Sequence, residues 1–258
     1  MLKVIKIGGN VVDNRTVLES FLDDLVRLDG PCVLVHGGGK VATEISKALG
    51  IETRMIDGRR VTDERTLDVV TMVYAGLVNK KIVASLQGRG TDAFGLCGAD
   101  GAAMTSKRRS AGTVDYGFVG DPVPGLTGVG TVSMLIDGGY MPVIAPITHD
   151  GHGTLLNTNA DTVARTMAVA LSSIYEVELI YCFEMAGVMA RIDDPASLIP
   201  HIDPEHYARL RADGTVSGGM IPKIDNAFDA IRNGVKSVVI CGCDALGKEN
   251  FGGTRITL

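Results

Sequence analysis

Apolar positions fall into two alternating kinds of run along this chain. Short blocks rich in valine and isoleucine, at Lys3–Ile7, Cys32–Val35, Pro142–Ala145, Glu176–Cys182 and Val238–Ile240, have the length and composition of buried strands. Between them, apolar residues recur every three or four positions. Examples are Leu18, Phe21, Leu22, Leu25 and Leu28, then Val41, Ile45, Ala48 and Leu49. The same spacing marks Val163, Met167, Ala170 and Leu171, and again Ile224, Ala227, Phe228 and Ile231. Each set lies on one face of a helix. Strand, helix, strand at this separation is a βαβ unit, whose crossover requires parallel strands. The pattern predicts an α/β fold, without repeats, low-complexity segments or an obvious linker.

Local signals refine the pattern. Asp57-Gly58, inside Met55–Val61, predicts a tight hairpin. Asp63 is placed to cap a long helix running to about Leu86. Short apolar stretches stand at Ala93–Leu96 and Ala102–Met104, a second hairpin is expected over Val114–Val119, and helices over Val132–Ile136 and Pro204–Leu210. Asn157, Asn159 and Asp161 sit around the start of the helix containing Val163. The stretch Ser217-Gly218-Gly219-Met220-Ile221-Pro222-Lys223 opens the helix containing Ile224. Proline is tolerated in a first helical turn, so Lys223 lies near that helix's positive end.

Composition narrows the class. At 258 residues, with 45% apolar and 21% charged residues, the chain is globular, as one large domain or two small ones. A net charge of −5 gives no general attraction to nucleic acid or an anionic membrane. No apolar run reaches the roughly 18 residues of a membrane span. The N-terminus enters a strand without the pattern of a signal peptide. Five scattered cysteines form neither a disulfide framework nor a zinc spacing. A reduced, cytoplasmic protein is expected, with no nucleic-acid or membrane partner.

The candidate chemistry gathers at strand ends. Lys6-Ile7-Gly8-Gly9 and His36-Gly37-Gly38-Gly39 each break from a strand into glycines, whose backbone N–H groups can approach an anion. The second is not a P-loop, because Leu34 stands where that motif has glycine and Val41 where it has Ser or Thr. No G-x-G-x-x-G follows either strand, which counts against a dinucleotide dehydrogenase. Lys6 lies at the carboxyl end of its strand, where open α/β sheets bind ligands. Lys223 is unfavourable near a helix N-terminus unless an anion joins it there. Each residue also has a structural reading: Lys6 and Lys223 as surface lysines, Asp161 as a helix-start carboxylate, Asn157 and Asn159 as turn formers, Arg60 solvated on its hairpin. His36 is expected to be packed, and His149-Asp150-Gly151-His152 to form a polar turn.

In order along the chain, Lys6–Gly9, His36–Gly39, Arg60-Val61-Thr62, Asn157–Asp161 and Gly219–Lys223 resemble the acetylglutamate kinase family of the amino acid kinase superfamily. The resemblance spans essentially the whole chain. It implies a three-layer α/β/α sandwich around a mainly parallel sheet, in one domain of residues 1–258. Its N-terminal part, about 1–170, would hold the acyl amino acid, and its C-terminal part, about 171–258, ATP. It further implies that Lys6 and Lys223 stabilise the transferring phosphoryl group and that Asp161 orients both. Gly9, Gly38 and Gly39 would supply backbone contacts, Arg60 the α-carboxylate contact, and Asn157 and Asn159 contacts to the acylated glutamate. Glu184, Gly187, Met189, Thr215 and Ser217 would border the nucleotide, with Mg2+ held mainly by ATP's phosphates and no protein metal site. The implied activity is phosphorylation of the γ-carboxylate of N-acetyl-L-glutamate in arginine biosynthesis, by a homodimer. Alternatives are N-succinyl-L-glutamate as substrate, or a catalytically silent amino-acid or nucleotide sensor. The chain departs from the family pattern at Phe183-Glu184-Met185, where Ser/Thr-Asp-Val is common. Its start directly before the first strand resembles the short, arginine-insensitive type.

Overall fold

The structure, a computed structural model, describes residues 1–56, 58–191, 193–217 and 220–258. Eight strands, β1 (Leu2–Ile7), β2 (Cys32–His36), β3 (Ala93–Cys97), β4 (Met141–Ala145), β5 (Val177–Phe183), β6 (His201–Ile202), β7 (Ser237–Gly242) and β8 (Thr254–Ile256), build one sheet. Their order is β6-β8-β7-β5-β1-β2-β4-β3. All neighbours run parallel except β7 and β8. The helices are α1 (Gly9–Asp13), α2 (Arg15–Leu25), α3 (Gly39–Ala48), α4 (Glu64–Gln87), α5 (Val129–Asp137), α6 (Ala160–Leu171), α7 (Pro204–Ala212) and α8 (Met220–Arg232).

Alternation along each strand divides the core in two. Val4, Val33, Leu179 and Val238 face one core, filled from α5, α6, α7 and α8. Their successors Ile5, Leu34, Ile180 and Val239 face the other, filled mainly from α2 and α4. Because both faces are covered, the central strands read as continuous apolar runs rather than alternating ones. This is the three-layer α/β/α arrangement that the family resemblance implies.

Asp63 caps α4 as anticipated, its carboxylate accepting from the Thr66 N–H at 2.8 Å. That helix is 24 residues long and apolar enough to cross a membrane, but its stripe of Leu67, Val70, Val73, Val78, Ile82 and Leu86 is buried in the core. A π-helical stretch interrupts it over Met72–Val78. The first expected hairpin is present, Met55–Ile56 pairing antiparallel with Arg59–Arg60; Asp57 in its turn lies outside the described residues.

The expected hairpin at Val114–Val119 is not formed. Ser106–Arg108 pairs instead with Gly120–Pro122, and the chain between them reaches across to Thr62. The Thr62 N–H donates to the Tyr116 carbonyl at 2.9 Å, and the Phe118 N–H to the Thr62 carbonyl at 2.7 Å. Gly117, at φ +73°, allows this approach: a Cβ there would lie 2.2 Å from the Thr62 carbonyl oxygen. This glycine serves a contact distant in sequence. The short α1 carries no periodicity of its own, and the ribbon Ile147–His149 with Leu155–Asn157 was equally unannounced. Its turn is held by Asp150, which accepts from the His152 and Thr154 N–H groups.

His36 is packed, as expected. Its Nε2 meets the Asn79 amide nitrogen at 3.1 Å and its Nδ1 the Gly37 carbonyl at 2.8 Å. The amide nitrogen donates, so Nε2 accepts and the ring's proton sits on Nδ1. Burial lowers its pKa to about 4, from 6.5. The unfolded chain therefore binds a proton below about pH 6.5 that the folded protein refuses, and stability falls as pH drops from there to about 4. Between pH 7 and 5, wild type should lose about 2 kcal/mol more than His36→Gln in urea unfolding. Equal losses would show that this histidine does not set the acid limit.

Candidate active site

The sheet order reverses at β1, which has β2 on one side and β5 on the other, and the crevice opens beyond their carboxyl ends. A cavity of about 550 Å³ lies there, lined by residues from both ends of the chain. Its basic lining residues are Lys6, Lys40, Arg59, Arg60, Arg109 and Lys223, against Asp13 and Glu184 as acids among the described residues. On a chain of net charge −5, this local excess of positive charge marks a site for an anionic ligand.

Two glycine turns form its floor. A Cβ on Gly37 would sit 3.3 Å from the Gly9 nitrogen, so the turns after β1 and β2 pack backbone against backbone. Gly38, at φ +156°, lies under the Tyr74 ring, which a Cβ would approach to 3.1 Å. No side chain caps α3 from Gly38, so the first N–H groups of that helix are open to a ligand anion. Gly9, Gly38 and Gly39 all line the cavity.

Lys6, Asp161 and Lys223 converge at one edge. Lys6 is buried, and its Nζ lies 2.7 Å from Asp161 Oδ1, out of line for a formal hydrogen bond. Asp161 occupies the first turn of α6, where its charge also favours the helix dipole. Lys223, from the first turn of α8, places its Nζ 3.9 Å from the centre of the Phe183 ring, while Lys6 Nζ is 5.1 Å from it. Burial lowers the Lys223 pKa below the ordinary lysine value; Asp161 opposes that shift and Lys6 adds to it.

Arg60 is not solvated. It is 7% exposed, and donates to the Gly39 carbonyl and the Thr43 hydroxyl, both at 2.8 Å, and to the Thr53 hydroxyl at 3.2 Å. No ion pair among the described residues includes it. A buried guanidinium held by neutral acceptors retains its full charge for an incoming carboxylate. Asn157 lines the cavity and donates to the Thr62 hydroxyl at 3.0 Å. Asn159 lines it too, although its carbonyl oxygen caps α6 by accepting from the Thr162 N–H at 3.1 Å. The turn-forming role and the ligand-facing position coexist there.

The nucleotide set divides. Glu184 lines the cavity and accepts a hydrogen bond from the Asn10 amide. Gly187, Met189, Thr215 and Ser217 lie outside the lining. Gly187 is packed against Leu198 and Thr254, and Met189 bridges Leu198. The Thr215 N–H binds the Asp213 carboxylate at 2.9 Å, and Ser217 is exposed. Gly218 and Gly219, part of the motif before Lys223, lie outside the described residues.

Among the lining residues that sequence reading did not assign to the site are Asp13, Tyr74, Arg109 and Phe183. Both Asp13 carboxylate oxygens are buried without a partner among the described residues, and burial raises its pKa. Tyr74 lies near Arg60, and burial raises its pKa as well. Arg109 forms an ion pair with Asp121. Phe183 follows Tyr181 on one face of β5, and Tyr181 is in register with Lys6 on β1. The strand period could have suggested that last placement; the other three depend on contacts distant in sequence.

Comparison with known proteins identifies the family. Residues 1–242 match the amino acid kinase family. The acetylglutamate kinase of Cytophaga hutchinsonii is 53% identical over 251 residues, 95% of this chain and 92% of that one. That of Bacteroides fragilis is 51% identical over 255 residues, 99% of this chain and 96% of that one. Among solved structures, a Streptococcus mutans protein is similar at 25% identity and TM-score 0.75, over 99% of this chain and 98% of that one. Giardia lamblia carbamate kinase bound to AMP-PNP shares the fold at 16% identity and TM-score 0.69, over 99% of this chain and 98% of that one. The chain belongs to the amino acid kinase family, on its acetylglutamate kinase branch.

Proposed function

We propose that this protein transfers the γ-phosphoryl group of ATP to the γ-carboxylate of N-acetyl-L-glutamate, a step of arginine biosynthesis. The observation that carries the proposal is one cavity with two distinct cationic centres. Lys6 and Lys223 gather beside Phe183, and Arg60 is buried among neutral partners. A substrate with two carboxylates matches both: the α-carboxylate on Arg60, the γ-carboxylate near the lysines.

A γ-carboxylate is ionised at neutral pH, so no general base is needed. One carboxylate oxygen attacks the γ-phosphorus, a new P–O bond forms, and the bond to the leaving ADP oxygen breaks. No proton moves. Catalysis then rests on positioning and on stabilising charge over the transferring group. Lys6 and Lys223 supply that charge, and Asp161 holds Lys6. Gly9, Gly38 and Gly39 offer backbone donors. Asn157 and Asn159 border the acylated glutamate.

In this reading the part up to about residue 170 binds the amino acid, and the remainder binds ATP near Glu184, Gly187, Met189, Thr215 and Ser217. Mg2+ would be carried mainly by the nucleotide's phosphates. Its role when bound is to neutralise charge on those phosphates. A cytoplasmic homodimer completes the proposal. Support for the dimer comes from the sheet edge at β3, where Phe94 and neighbouring Tyr140 are exposed and in edge-to-face contact.

The direct test is ADP release from ATP and magnesium with N-acetyl-L-glutamate, N-succinyl-L-glutamate or free L-glutamate. Turnover should be strongest with the acetylated substrate. Preference for the succinyl compound would transfer the assignment to that acyl group, and silence from a folded protein toward all three would overturn it. For Arg60→Ala, the KM for the amino acid should rise about ten- to hundredfold, with little change in the KM for ATP. An equal rise for both substrates would remove Arg60 from the α-carboxylate role.

A further inference from the structure

Phe183 stands where a charged site has little obvious use for an aromatic ring. Its position follows from strand geometry. Lys6 on β1 is in register with Tyr181 on β5, and Phe183, two residues further, projects from the same face. The rings of Tyr181 and Phe183 stack, 6.0 Å apart at 16°. α8 packs over this face and brings Lys223 above the Phe183 ring. The ring is only half-buried and lines the cavity, so it is not simply core filling.

Two ammonium groups held close together in a partly buried site repel one another. Asp161 lies against Lys6, but no ion pair among the described residues reaches Lys223. An aromatic face attracts cations through its quadrupole, and both ammonium groups lie within the range of that attraction. The ring also carries no net charge. A carboxylate in its place would hold the lysines equally well but cancel the positive field that a phosphoryl group requires.

We propose that Phe183 is a positioning residue for phosphoryl transfer, an uncharged platform that holds Lys6 and Lys223 together without neutralising them. This rests on the roles given to the two lysines above. The lowered Lys223 pKa is consistent with it, since the lysine is crowded by burial and by Lys6 while only partly compensated.

The test compares Phe183→Leu, which keeps apolar bulk but loses the ring, with Phe183→Tyr, which keeps the ring. In the ligand-free protein, NMR titration of lysine side chains labelled at Cε should show Lys223 losing its proton about half a pH unit lower in the leucine variant. In kinetics, the leucine variant should lose kcat several-fold, up to about tenfold, with both KM values nearly unchanged. The alkaline limb of its kcat/KM should move to lower pH, and the tyrosine variant should restore both readings. An unchanged Lys223 titration would overturn the proposal, as would a leucine variant with wild-type kcat. A rise in KM that tyrosine does not restore would also overturn it, by revealing a packing role. If wild type phosphorylates none of the three acceptors, the proposed function fails, and the titration alone decides whether the platform exists.

Discussion

A lysine on the central strand of a sheet covered on both faces is a costly arrangement. An ammonium group loses hydration there, and only nearby negative charge, hydrogen bonding or a polarisable partner makes up the difference. Lys6 sits at this position, 7% exposed, and the elements around it supply those partners. Asp161 comes from the start of α6 and the Phe183 ring from β5. The rest of the site makes sense as support for one buried positive charge at the point where the sheet order reverses.

That charge also explains the division of labour within the cavity. Arg60 is anchored by three neutral oxygen acceptors, which fix its planar fork without consuming its charge. The lysines are held differently, by one carboxylate and one ring. Phosphoryl transfer to a carboxylate asks for little else. The nucleophile arrives ionised, and the barrier is lowered mainly by a preorganised electrostatic environment. The buried, neutral His36 braces the second glycine turn through the Gly37 carbonyl and is tied to α4 by Asn79.

Much of this was legible in the residues. Burial on both faces writes parallel strands as unbroken apolar runs, and a lysine inside such a run, followed by glycines, marks a strand end with a purpose. Asp63 could be read as a cap, and Lys223 as an anomaly in a first helical turn. What stayed hidden was whatever depends on distant contacts. The excursion through Gly117 exists to reach Thr62, and nothing within Val114–Val119 says so. Tyr74 enters the site from a π-helical stretch of α4, and Asp13 and Arg109 arrive from elements whose local pattern is uninformative. The expected nucleotide residues came only from resemblance, and of these Glu184 alone lines the central cavity.

The most direct measurement of the central claim traps the product. Wild type and Lys6→Met would be incubated with ATP, magnesium, N-acetyl-L-glutamate and hydroxylamine, which converts an acyl phosphate into a stable hydroxamate. Wild type should form one γ-hydroxamate for each ADP released. The methionine variant, folded by circular dichroism, should form it at least about a hundredfold more slowly. ADP release without hydroxamate would contradict transfer to the carboxylate, and an undiminished rate in the variant would contradict the role given to the buried lysine.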